Sequence, residues 1–334
     1  MSFQFSREWS APKLEEAFFP VEVCKLAFKK DYQIIRQPDL FGGEVVTRQK
    51  SLRSRYCPIP GIRAIVDAEA GHVFASVSTG YKLVTNEEAY CAAGLIAEKV
   101  FGCSLSELHC ANLVMPKSRS TCIMDLIQAK SVFEPFEKEA WHLFIRVINS
   151  YNRMRSVHYE IGLCRGTSLN ALILDAAPNS AALHIKDAVE KFKALQAFEV
   201  EKSWCLPLFC KVFNVHFSRE KFERYQTSRG AKQREGLLNM IRAVTARRDA
   251  YFTDLGANAY AVLNVLADYA TFPAATLSPV NVVPGYQRKV GAWMDEFAAV
   301  AGAREKDFSI GSYIGDEAIE TSVRLNQFAA LYMN

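Results

Sequence analysis

The period of the apolar residues changes once along the chain, after Pro178, and that change restricts the folds open to it more than any other feature. Before it, runs rich in β-branched and aromatic residues stand at 62–66, 72–77, 81–84, 111–115, 121–124, 143–148 and 157–163, separated by turn residues. After it, residues 181–195, 219–229, 232–248, 257–269 and 290–303 follow helical spacing. No flexible linker marks the change, so strands and helices are expected to share one core. The fold class expected is α+β, an antiparallel sheet in the N-terminal half packed with a mainly helical C-terminal half.

Ahead of the sheet, Pro12, Pro20, Pro38, Pro58, Pro60 and the pair Gly42-Gly43 interrupt residues 1–60. That density of backbone stops predicts an extended arm with short elements. Residues 61–178 then form the mixed strand and helix region, and 179–334 the helical one. The runs at 62–66, 72–77 and 81–84 read as a meander. Thr85-Asn86-Glu87-Glu88 has the form of a capping box, which predicts a helix from about 86 to 101 that stops at Gly102. The runs at 143–148 and 157–163 flank Asn149-Ser150-Tyr151-Asn152, whose residues suit a turn, and pair as a hairpin. No internal repeat or low-complexity tract is present.

Half of the 334 residues are hydrophobic, which excludes disorder as the main character, and a net charge of +4 excludes a polyanion-coating tail. Nine cysteines, an odd number with several in apolar runs, suit a reduced intracellular compartment. The start of the chain lacks a basic head and apolar stretch, and no run approaches the roughly 18 apolar residues of a membrane span. The location expected is a bacterial cytoplasm, without membrane contact.

The mild average conceals segregated charge. From Lys211 to Arg248 ten bases stand against three acids, a net +7, so the remainder of the chain is net −3. Arg229, Lys232, Arg234 and Arg242 are the phosphate-contact candidates there, while a solvated helix face explains the same pattern. A second basic stretch, Arg48, Lys50, Arg53, Arg55 and Arg63, lies in the arm, which can follow a phosphate backbone or bridge subunits. The third is the hairpin turn. Tyr151 offers a stacking plane and Arg153 and Arg155 offer phosphate contacts, with Arg146 and Arg165 on the adjacent strands.

Catalytic patterns are weak. The six histidines have no partner at metal-binding spacing, and Cys103, His109, Cys110 and Cys122 lack a zinc-site spacing, so the cysteines read as buried apolar thiols rather than zinc ligands. Neither a phosphate-cradling glycine loop nor a specific carboxylate cluster occurs, so no cofactor and no metal are expected. Asp67, Glu69, Asp125, Glu160 and Asp175 are the acids a metal-dependent nuclease could use, and His158 with Glu160 could form a base pair of residues.

Residues 144–152, then 157–166 and Asn170-Ala171-Leu172, resemble the phage and plasmid family catalogued as domain of unknown function 932. Residues 81–88 are similar to that family's strand entering its first helix, and 257–269 to a late helix, so the resemblance spans about 40 to 270. Where the family carries a Cys and a Gly around the asparagine equivalent to Asn170, this chain has Ser168 and Ala171, which makes a Cys there a packing residue rather than a nucleophile. The resemblance implies mobile-element biology and assigns no activity. Comparison with phage single-strand annealing proteins rests on strand-plus-helix analogy.

Together these features lead to the expectation of a non-enzymatic, single-stranded nucleic-acid-binding protein, DNA ahead of RNA, that assists strand annealing or recombination as a homo-oligomer. The rival is an interaction protein that blocks a host defence or regulatory factor. The third reading is the nuclease.

Overall fold

The computed structural model describes residues 14–38, 44–166, 168, 170–174, 181–274, 279–303 and 308–333, with the side chains of 28–55, 129–131 and 279–281 left aside. The chain is α+β, with antiparallel sheets in its N-terminal half and helices through most of its C-terminal half.

Strands β1 (Val21–Pro38), β2 (Glu44–Asp67) and β3 (Val73–Ser78) form the first sheet in that order. β3 pairs with β2 only along Ile62–Val66, so farther out β1 and β2 continue as a two-stranded ribbon. This departs from the short elements expected of residues 1–60. The prolines are accommodated rather than disruptive. Pro38 ends β1, Pro58 sits opposite Ala27, and Pro60 falls within the irregularity between the Lys25 and Ala27 pairings, positions where a missing amide donor interrupts no regular ladder. Residues 81–84 form no strand and instead connect β3 to α1 (Asn86–Phe101).

Helix α1 begins and ends as its sequence dictates. Thr85 Oγ1 accepts from the Glu88 amide at 3.1 Å while Glu88 Oε2 accepts from the Thr85 amide at 2.8 Å. Gly102 closes the helix at φ +62°, in the left-handed region glycine tolerates.

The second sheet runs in sequence order through β4 (Leu108–Val114), β5 (Thr121–Phe136), β6 (Glu139–Ser150), β7 (His158–Arg165) and β8 (Ala171–Ile173). The β6–β7 hairpin pairs Ile148 with His158 and Trp141 with Arg165. Alternation places Ile145 and Val147 of β6 against α1, with Met124 and Leu126 of β5. Trp141 and Leu143, farther along the same face, join the larger core built with the helices.

Those helices are α2 (Ala181–Ala197), α3 (Cys205–Phe213), α4 (Arg219–Gln226), α5 (Ala231–Leu255), α6 (Ala259–Thr271), α7 (Pro279–Ala303), α8 (Ile310–Ile314) and α9 (Asp316–Tyr332). α6 is buried from Ala259 to Ala270, its mostly apolar sequence carrying Asn264 and Asp268 inward with it, and the others pack around it. α7 approaches β8 so closely that a Cβ on Gly291 would overlap the Ile173 carbonyl. Among the described residues, no helix is long and apolar enough to cross a membrane.

Candidate nucleic-acid interface

The β6–β7 turn is built by its small polar residues. Asn152 Oδ1 accepts from the Met154 amide at 3.0 Å, and Arg153 takes φ +65°, a conformation uncommon outside glycine that this side-chain bond supports. The turn is held against the first sheet by Arg153 Nη1, which donates to the Ser76 carbonyl of β3 at 3.1 Å. At the turn's base, Asn149 Nδ2 donates to the Val84 carbonyl at 3.0 Å and to Asn86 Oδ1 at 2.9 Å.

Between these ties lies a cleft of about 340 Å³. One wall is Tyr81, Lys82 and Val84; the other is formed by residues 149, 150, 153 and 155–157. Lys82, Arg153 and Arg155 give it three cations, and none of its lining residues is acidic. Arg155 is half-buried, and its Nη1 is buried without a hydrogen-bond partner. Leaving a buried donor unsatisfied costs about 1–3 kcal/mol, more for a charged group, so this atom calls for an acceptor that the described protein does not supply.

Tyr151 faces away from this role. It is 2% exposed, its ring stacks on Phe74 at 5.3 Å and meets Phe19 edge-on at 5.7 Å, and its hydroxyl accepts from the Asn86 amide at 2.8 Å. Burial raises its phenol pKa well above the ordinary value. The stacking plane expected at Tyr151 is therefore a packing group that joins the two sheets. The ring open to the cleft is Tyr81, 36% exposed. Sequence reasoning missed Tyr81 and Lys82 because residues 81–84 read as a strand.

Arg146 and Arg165 are likewise corrected from phosphate contacts to core ion pairs. Arg146 is fully buried. Its Nε and Nη2 donate to Asp125 Oδ1 and Oδ2 at 2.6 and 2.8 Å, and its Nη1 to Gln287 of α7. Register explains the pairing, since Arg146 stands opposite Asp125 on one side and Glu160 on the other. Glu160 is in turn paired with Arg288 of α7. Arg165 is 5% exposed and holds Glu139, its Nε donating to Oε2 at 2.8 Å; the same oxygen accepts from the Tyr260 hydroxyl at 2.9 Å. Neighbouring carboxylates overcome burial and raise both guanidinium pKa values. Both cations are already neutralised.

The remaining candidates divide. Arg229, Lys232 and Arg242 are exposed on or beside α5, and Arg242 donates only to Asn239 Oδ1, at 3.0 Å. Arg234 donates to the Tyr225 carbonyl at 3.2 Å and sits over the Tyr332 ring. Arg247 and Arg248 are paired with Asp268 and Asp249. The C-terminal end of α5 meets Arg165, where Asp254 lies 3.7 Å from Nη2, at the opposite end of β7 from the turn. A strand of that length puts this end of α5 roughly 23 Å from the turn. The side chains of Arg53 and Arg55 lie outside the described residues.

The acids singled out by sequence have partners. Asp67 caps its own turn through the Glu69 and Ala70 amides at 3.0 and 2.9 Å and, with Glu69, pairs with Arg119. His158 Nε2 is 3.5 Å from Glu160 Oε1, whose stronger partner is Arg288. Asp175 lies outside the described residues. Among those described, no three His, Cys, Asp or Glu residues gather as a metal site. Burial pushes the thiols of Cys110 and Cys122 up to about 12, away from the thiolate form a metal would need. Compared with protein-family models, curated proteins and solved structures, the chain matches none.

Proposed function

We propose that the chain binds single-stranded nucleic acid through the cleft between the β3–α1 connection and the β6–β7 turn. The observation that carries this reading is the cleft's composition: three cations and no acid among its lining residues. A phosphate balances those cations, and the exposed Tyr81 ring supplies a surface on which a base stacks. The first sheet is basic as well: β1 and β2 carry nine bases against four acids, and the register sets Lys25 opposite Arg63, like charges whose repulsion a bound polyanion relieves. The mobile-element setting, annealing and self-association belong to this proposal, and the reading requires no catalytic step.

The test is titration of a labelled single-stranded oligonucleotide at low and high salt, with and without magnesium. Binding that weakens steeply with salt and leaves the strand intact is the expected result. No binding at low salt would falsify the reading and favour a host-protein partner, while magnesium-dependent loss of the strand would favour the nuclease.

A further inference from the structure

We infer that the cleft receives a terminal phosphate monoester of a nucleotide rather than a phosphodiester in mid-strand. The inference rests on the nucleic-acid reading and narrows its ligand.

Its first support is the closure of the cleft. One wall runs from Ser76 to Val84; the other is the turn that leaves β6 at Asn149, reaches its tip near Arg153 and returns to β7 through Val157, and the two walls are joined at the turn's base and at its tip. Asn149 donates to the Val84 carbonyl at one end, and Arg153 to the Ser76 carbonyl at the other. A strand passing along the walls would meet one of these cross-links. A strand's end entering from the mouth meets neither. The second support is charge. A phosphate monoester carries about −1.5 to −2 at neutral pH, against a single charge on a diester, and Lys82, Arg153 and Arg155 face it without a lining acid. Size is the third. A volume of about 340 Å³ falls at the small end of the roughly 300–1,000 Å³ typical of ligand sites and suits one nucleotide unit. Arg155, Arg153 and Lys82 neutralise the phosphate, and Tyr81 lies against the attached base.

The experiment uses the full chain and one internally labelled single-stranded oligonucleotide, prepared with a 5′-phosphate, a 3′-phosphate or hydroxyls at both ends. One phosphorylated form is expected to bind about tenfold tighter than the hydroxyl form. Arg155→Gln should erase that preference, bringing the phosphorylated strand down to the affinity of the hydroxyl form in the same variant, and Lys82→Gln, at an exposed position, should reduce it if Arg155→Gln does not fold. Equal affinity for all three strands overturns the inference and leaves the nucleic-acid reading standing. Failure of every strand, with a nucleoside monophosphate still bound, overturns that reading and keeps the phosphate site. Failure of every strand and of the monophosphate overturns both. When phosphorylated strands do bind tighter, weak competition by the monophosphate identifies the ligand as a strand's end, and competition equal to the strand identifies it as a free nucleotide.

Discussion

One hairpin holds two guanidiniums within its strands and two in the turn that joins them, and their surroundings are opposite. Arg146 and Arg165 lie opposite or beside carboxylates from neighbouring strands and are buried with them. Arg153 and Arg155 border a cleft without a carboxylate among its lining residues, and Arg155 Nη1 has no hydrogen-bond partner among the described residues. The residue type is the same in both places, so local sequence does not separate a structural cation from a binding one. What separates them is which acids the register brings alongside. The strand cations are committed to holding the sheet to α7 and α6, while the turn cations line a cleft that offers them no carboxylate.

Breaking the buried half should have the largest effect. Arg146→Ala leaves Asp125 buried without its cation and is expected to cost about 3–5 kcal/mol, read as a lower denaturant midpoint. A loss below about 1 kcal/mol would remove Arg146 from the structural class.

Alkali should attack the same core. Cys110, Cys122, Cys205 and Cys210 are each pushed by burial from an ordinary value near 9 up to about 12. Because the folded state holds these protons more tightly, the associated stability is complete below pH 9 and is lost as pH rises toward 12. Each thiol accounts for about 1.4 kcal/mol per pH unit in that window. Urea midpoints between pH 8 and 10.5 should therefore fall, and Cys122→Ala should make the fall shallower; an unchanged slope would mean the thiol ionises freely in the folded protein.

The two tyrosines sharpen the contrast at the cleft. Tyr81→Ala is expected to weaken oligonucleotide binding by about 1–3 kcal/mol with little change in stability. Tyr151→Phe keeps the ring packing, loses the bond from the Asn86 amide, and should cost about 1 kcal/mol of stability with binding unchanged. The reverse pattern would restore Tyr151 as the stacking plane. The smallest effect is expected from combined alanine substitution of Arg229, Lys232 and Arg242. These exposed positions should change stability by less than about 0.5 kcal/mol, and affinity by less than the two turn arginines do.

Signals confined to a few residues were legible in the sequence. The Thr85–Glu88 capping box, the Gly102 stop, the β6–β7 pairing and the apolar α6 all follow from neighbours in the chain. Long-range choices were not. Pro58 and Pro60 read as breaks because nothing local shows that a bulge absorbs them. α3, absent from the helices expected, has eight of its nine residues buried and is too short to display a period. The burial of Arg146 depends on Asp125, 21 residues away, and on Gln287, 141 away, both invisible to local composition. Tyr81 and Lys82 could have been found by reading Thr79-Gly80 as a turn and Thr85 as a cap, which leaves only a short connection between them.

The central claim, that the unpaired turn cations are kept for a polyanion, is tested most directly by the Arg153→Ala, Arg155→Ala double variant. Its thermal midpoint and its oligonucleotide affinity across a salt series should be measured side by side with the unaltered chain. The expected result is a midpoint lowered by no more than loss of the exposed Arg153–Ser76 bond accounts for, about 1 kcal/mol, and weaker binding, with the dependence of log affinity on log salt shallower by about 1.4, the equivalent of two lost single-strand phosphate contacts. Equal affinity and an equal salt slope in both proteins would contradict it.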